Sequence, residues 1–144
     1  MQLPWKDGRL DEARVAWRAT RHEGIEWCPV HEAPGAGPRE TLAVIRMAPG
    51  RGYPPHEHLD SEDVLVLAGG YRDELGEHRA GQWLRYERGS RHSPVALGDP
   101  SRPSGPDNPA CLLWAHARGG VRNLEVGESS QGGFPEAHDS GHGG

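Results

Sequence analysis

The sequence predicts an all-β domain, a barrel or sandwich, and three observations carry that prediction. Gly (21) and Pro (13) are frequent among 144 residues, which suits short strands and tight turns. The apolar segments are short and recur at regular spacing. Glycine and proline fall between them, where turns are required. A chain of this length fits one domain with one core. The domain is expected over residues 1–126, with a disordered Gly-, Ser- and His-rich tail over 127–144.

The elements follow in order. Residues 13–20 are ambiguous: Asp11 could cap a short helix, yet Val15 and Trp17 alternate as on a strand. Ile25 to His31 reads as a strand whose proline, Pro29, places it near an edge or a bulge. Residues 32–39 read as a loop. Thr41 to Met47 is a strand with Leu42, Val44 and Arg46 on one face and Ala43, Ile45 and Met47 on the other. Val64 to Ala68 is apolar on both faces, as a strand inside a barrel should be.

Gly69-Gly70 breaks that run. Tyr71 to Asp73 and Glu77 to Arg79 read as a hairpin turning at Glu74-Leu75-Gly76. Gln82 to Glu87 and Ser93 to Leu97 are further strands, and Cys111 to Ala117 is the last clear one. Between them, Gly98 to Ala110 carries prolines at 100, 103, 106 and 109, a period that suits polyproline II. Its length suggests a lid or an interface segment. No internal repeat is visible.

Composition excludes several classes. Net charge is −5, and three of the negative charges, Glu128, Glu136 and Asp139, lie in the tail. A mildly acidic body without a basic block argues against nucleic acid or an anionic membrane as partner. No apolar run approaches the ~20 residues of a membrane span, and the N-terminus lacks a signal-like apolar stretch. Cys28 and Cys111 are too few for a disulfide scaffold and read as reduced thiols. A cytoplasmic location is the expectation.

The chemistry gathers between Gly50 and Gly69. His56, His58 and Glu62 stand in the spacing H-x-H-x3-E. Alternate strand residues face one way, so two imidazoles can converge on one point. A carboxylate four residues later can return there after a tight turn, and His92 sits in a turn that can supply a further ligand. Three imidazoles and a carboxylate suit Fe, Mn, Zn, Ni or Cu.

These residues resemble the cupin motifs. Gly50, His56, His58, Glu62 and Gly69 match the first, G-x5-H-x-H-x3,4-E-x6-G, in full. Gly81, Gly89 and His92 match the second, while Glu87 and Ala96 stand where proline and asparagine are usual. The resemblance runs from about Thr41 to Ala117 and implies a double-stranded β-helix, the cupin jelly-roll barrel. Within that superfamily, Glu62-Asp63, the strand from Val64, Gly81 and the turn Gly89-Ser90-Arg91-His92-Ser93-Pro94 resemble ChrR-type cupins and acetylacetone-cleaving dioxygenases. No Cys/His zinc region of the kind that binds a sigma factor is present, so the chain resembles a stand-alone cupin.

The resemblance implies one divalent metal ion per chain, Fe(II) by preference, with Zn, Mn, Ni or Cu as alternatives. His56, His58, His92 and Glu62 would hold it. The expected function is a mononuclear dioxygenase acting on a small chelating substrate of β-dicarbonyl or enol type. The alternatives are a zinc-binding ChrR-like sensor and a metal-dependent lyase or isomerase with Glu62 as base. A small-molecule substrate and a homodimer are the expected partners.

Other polar and aromatic residues receive plainer readings. His22, His31, His78, His138 and His142 are read as surface residues, and His116 as a core or rim residue that reaches the pocket only if its strand face, shared with Leu112 and Trp114, lines the barrel. Arg46 and Arg85 interrupt apolar strands and are read as outward-facing, the alternative being a buried arginine that meets a carboxylate or an anionic substrate. Trp83, Tyr86 and Trp114 are read as core or barrel lining, and Cys111 as a small buried hydrophobe.

Overall fold

A computed structural model describes residues 3–32 and 40–124. The loop over 33–39, the tail over 127–144 with His138 and His142, and the side chain of His31 lie outside the described residues. The strands are β1 (Trp5–Lys6), β2 (Arg9–Leu10), β3 (Arg18–Ala19), β4 (Ile25–Glu32), β5 (Thr41–Met47), β6 (His56–His58) and β7 (Glu62–Ala68). They continue with β8 (Gly70–Asp73), β9 (Gly76–Arg79), β10 (Trp83–Tyr86), β11 (Arg91–His92), β12 (Val95–Ala96), β13 (Cys111–Ala117) and β14 (Val121–Asn123). Pairing is antiparallel. One six-stranded sheet runs β10-β7-β13-β5-β4-β3, and two three-stranded sheets run β11-β6-β14 and β12-β8-β9. This is the all-β, double-stranded β-helix expected.

Strand parity builds the core. On β5, Ala43, Ile45 and Met47 turn inward and pack with Val66, Leu113 and Ala115 of the same sheet and Tyr71 and Ala96 of the β12-β8-β9 sheet. Each large aliphatic side chain removed from water here stabilises the fold by about 1.5–3 kcal/mol. Val44, on the other face of β5, is also fully buried. A second cluster covers it, in which Leu10 and Val15 of the N-terminal segment lie against Val44, Cys28 and Leu112. That is why β5 and β7 are apolar on both faces.

Several local expectations are corrected. Residues 12–14 form a single 3-10 turn and Arg18–Ala19 a short strand, so the ambiguous segment divides between the two. The Asp11 side chain makes no cap hydrogen bond. Pro29 does sit at an irregularity: the β4–β5 register shifts between Pro29 and His31. In the hairpin Asp73 pairs with Gly76, so the turn has two residues and Gly76 joins the strand. Gly98 to Ala110 is not an extended polyproline segment. Buried Asn108 ties it into compact turns, its amide donating to the Asp99 and Arg102 carbonyls and its oxygen accepting from the Asp99 N–H.

Gly69 shows why a glycine ends β7. Its φ is +63°, and a Cβ there would run into the carbonyl oxygen of Ala110. The chain can therefore pass directly from β7 into β8. Strand β14 has no counterpart in the sequence reading. Trp83 is 70% exposed and Trp114 lies on the outer sheet face with Leu112 and His116, so neither lines the barrel. Among the described residues, no helix is long and apolar enough to cross a membrane.

Candidate metal centre

Strand β6 places two imidazoles inside the barrel. Its burial alternates, with His56 and His58 buried and Glu57 between them facing out to Arg91 and Arg122 at 3.0 and 2.9 Å. Strand β11 runs antiparallel beside it with His92 directly opposite His56. Strand β14 closes the other side of β6, pairing Val121 with His58. The three ring centroids lie 5.2, 4.6 and 4.8 Å apart, and one ligand atom from each histidine falls within 4.8 Å of the others.

Hydrogen bonding decides which nitrogens face the centre. His56 Nδ1 lies 3.0 Å from the Pro54 carbonyl, an acceptor only. His58 Nδ1 lies 3.2 Å from the Ser90 carbonyl and 3.1 Å from Ser90 Oγ, whose own proton goes to the Glu87 carbonyl. His92 Nδ1 lies 2.9 Å from the Asp73 carboxylate. All three Nδ1 atoms therefore donate, which leaves three Nε2 lone pairs for the centre.

Glu62 begins β7 and turns inward, its Oε1 3.0 Å from His58 Nε2. With His58 Nδ1–H already committed, a proton or a cation must lie between that nitrogen and the carboxylate. Burial first, then the neighbouring charges of His92 and His58, pushes the His56 pKa well below its ordinary value. A buried imidazole that resists protonation, as His56 does, suits a divalent ion of the imidazole-binding transition metals.

Behind the histidines lies a buried polar array. Asp73 Oδ2 accepts from Tyr86 Oη at 2.6 Å and from His92, while Oδ1 accepts from His78 Nε2 at 2.8 Å and from the Leu75 N–H at 2.9 Å. Burial alone would raise the Asp73 pKa. The bonds from His92, Tyr86, His78 and Leu75 outweigh it and hold the carboxyl well below the usual range. Tyr71 Oη lies 2.6 Å from Tyr86 Oη, and burial pushes both phenols far above their ordinary value.

His78 is thus buried in this array, against the surface reading. Tyr71, Asp73 and His78 were missed as site neighbours. The available signal was parity on β8, where Tyr71 and Asp73 share the face opposite exposed Arg72. His22 is half-buried, edge-on to Tyr53 at 5.3 Å. His116 faces outward to Glu40 at 2.9 Å. Arg46 and Arg85 also face outward: Arg46 pairs with Glu26 at 2.6 Å and lies over Trp17, and Arg85 reaches Asp63 at 3.4 Å. Cys111 is fully buried and free.

His56 and His92 border a small cavity of about 30 Å³. Its walls are Ile45, Val64, Leu113, Ala115 and Val121, with Tyr53 and Pro94 completing the apolar part. His56, His92, Glu62 and Tyr71 supply its polar atoms. No residue of the 98–110 loop lines it among the described residues.

A jelly-roll barrel holding a three-histidine cluster that could carry a metal ion defines the protein as a cupin. More narrowly, the chain belongs to the ChrR cupin-like domain family, whose model matches residues 6–101. No curated protein matches it. Among solved structures it is similar to a chain of the SigE–ChrR anti-sigma complex of Rhodobacter sphaeroides. The TM-score there is 0.57 at 25% identity, covering 73% of this chain and 49% of that one. The present chain therefore spans about half the length of that relative. An acetylacetone dioxygenase from Acinetobacter johnsonii matches with a TM-score of 0.66 at 14% identity, covering 96% and 88% of the two chains. The polyketide cyclase RemF from Streptomyces resistomycificus matches at 0.58 and 22%, covering 88% and 89%. These last two share the fold.

Proposed function

We propose that this protein is a mononuclear metal-dependent dioxygenase acting on a small, uncharged, chelating substrate of β-dicarbonyl or enol type. The observation that carries the reading is the convergence of His56, His58 and His92 beside Glu62, with an apolar pocket of about 30 Å³ against them that a substrate would have to widen. Likeness over nearly the whole chain to the acetylacetone dioxygenase fold supports it. His56, His58 and His92 would hold the metal, and Glu62 would be a fourth ligand or a base. A bound Fe(II) would supply the means to bind a chelating substrate and to use O2.

The chain's own residues do the rest. Ile45, Val64, Leu113 and Val121 exclude water from the reacting atoms. No lysine or arginine lines the cavity among the described residues, so a neutral molecule fits better than a carboxylate. Glu62, which lines the cavity, would take the proton that an enolising carbon gives up.

A second reading is a zinc-binding sensor of ChrR type. The family match and the 3.0 Å approach of Glu62 to His58 favour it, since four ligands would close the site. Elemental analysis of protein purified without added metal, with oxygen uptake measured on acetylacetone, separates the two. Stoichiometric iron with substrate-dependent uptake supports the dioxygenase. Zinc without uptake overturns it. Glu62→Gln that keeps its metal but loses turnover assigns Glu62 as base.

A further inference from the structure

The three imidazoles are not anchored alike. Backbone carbonyls hold His56 and His58 through Pro54 and Ser90, whereas His92 Nδ1 rests on the carboxylate of Asp73. That carboxylate side chain is fully buried and saturated, with two donors on each oxygen. One donor is the Leu75 backbone N–H, which cannot reverse its role. The Tyr86 hydroxyl spends its single proton on Asp73, so Tyr71 must donate to Tyr86.

Tyr86 carries the same constraint to a second histidine. Its ring stacks on His58 at 5.1 Å with planes 21° apart and leans on His92 at 4.3 Å. Its hydroxyl is pinned to the oxygen that His92 uses. Asp73 therefore grips His92 directly and His58 through the Tyr86 wedge.

We propose that Asp73 is the positioning residue of the metal centre. It fixes His92 as the tautomer protonated on Nδ1, so that Nε2 presents a lone pair, and with Tyr86 it sets the planes of two of the three imidazoles. The proposal rests on the metal-binding reading above. Carboxylates behind ligand histidines orient the ring and raise its basicity, and their loss typically costs 10–100-fold in metal affinity. Asn is a near-isostere of Asp73 but carries two N–H donors of its own. In one orientation the amide N–H faces His92 Nδ1 and favours the wrong tautomer. In the other it faces the Leu75 N–H.

The test is zinc affinity of the full chain by competition with a chromophoric chelator, for wild type, Asp73→Asn and Val66→Ala. Val66 is buried in the core away from the cavity, so its variant weakens the fold without touching the centre. Asp73→Asn should lose about 10–100-fold in affinity while Val66→Ala keeps the wild-type value. Equal affinities for Asp73→Asn and wild type overturn the proposal and leave the metal reading intact. Absence of zinc binding by wild type overturns both.

Proton NMR of the zinc-loaded wild type needs no variant. A hydrogen-bonded His92 Nδ1–H should appear far downfield. A His92 bearing its proton on Nε2 overturns the proposal.

Discussion

Acidifying the metal-free protein should destabilise it through His56. The side chain is 4% exposed, and its pKa lies well below the ordinary value because of burial and then the adjacent His92 and His58. The unfolded chain takes up a proton at about pH 6.5 that the folded chain refuses. Protons bound in the unfolded state then exceed those in the native state, so stability rises with pH across this window and falls on acidification. For one such group the loss by pH 5 has a ceiling of about 2 kcal/mol. The depressed carboxylates, Asp73 among them, act in a lower window: their contribution is present above about pH 4 and lost below it. Urea unfolding in chelator at pH 7.5, 6.0 and 5.0, for wild type and His56→Gln, isolates the effect. The stability advantage of wild type should shrink by up to about 2 kcal/mol between pH 7.5 and 5. A gap that stays constant or widens would refute the reasoning.

Two further outcomes can be checked without a ligand. Gly69→Ala should cost about 2–4 kcal/mol in chemical unfolding, from left-handed strain at φ +63° and from displacement of the Ala110 carbonyl; a loss under about 1 kcal/mol would mean that the β7–β8 corner is loose. Cys111 is fully buried, with its thiol pushed up to about 12 by burial, and Cys28 is buried as well. Iodoacetamide at pH 8 should therefore leave both unlabelled until denaturant is added, and rapid native labelling of Cys111 would place β13 outside the core.

The barrel was legible because its strands carry their burial locally. Alternation in Thr41–Met47 and the double-faced apolar run at Val64–Ala68 state which side meets the core, and Gly69 marks where the chain must turn. The histidine cluster was legible for a similar reason. His56 and His58 share a face through strand parity, and Glu62 follows within one turn. Trp83 and Trp114 misled because an aromatic in a strand carries no label for inner or outer face. His78 misled because one histidine alone gives no sign of the aspartate it meets.

What the sequence by itself determined was the barrel and the set of candidate ligands: strand patterns and the trio His56, His58 and Glu62 lie close together in the chain, and the second cupin motif marked His92. Tertiary structure decided how those ligands are held. The pairing of β11 with β6 sets His92 opposite His56, and the β8–β9 hairpin brings Asp73 beneath His92 from 19 residues away. A hydrogen bond fixes a tautomer only when donor and acceptor meet in space. Three Nδ1 atoms find their acceptors only once the sheets have closed.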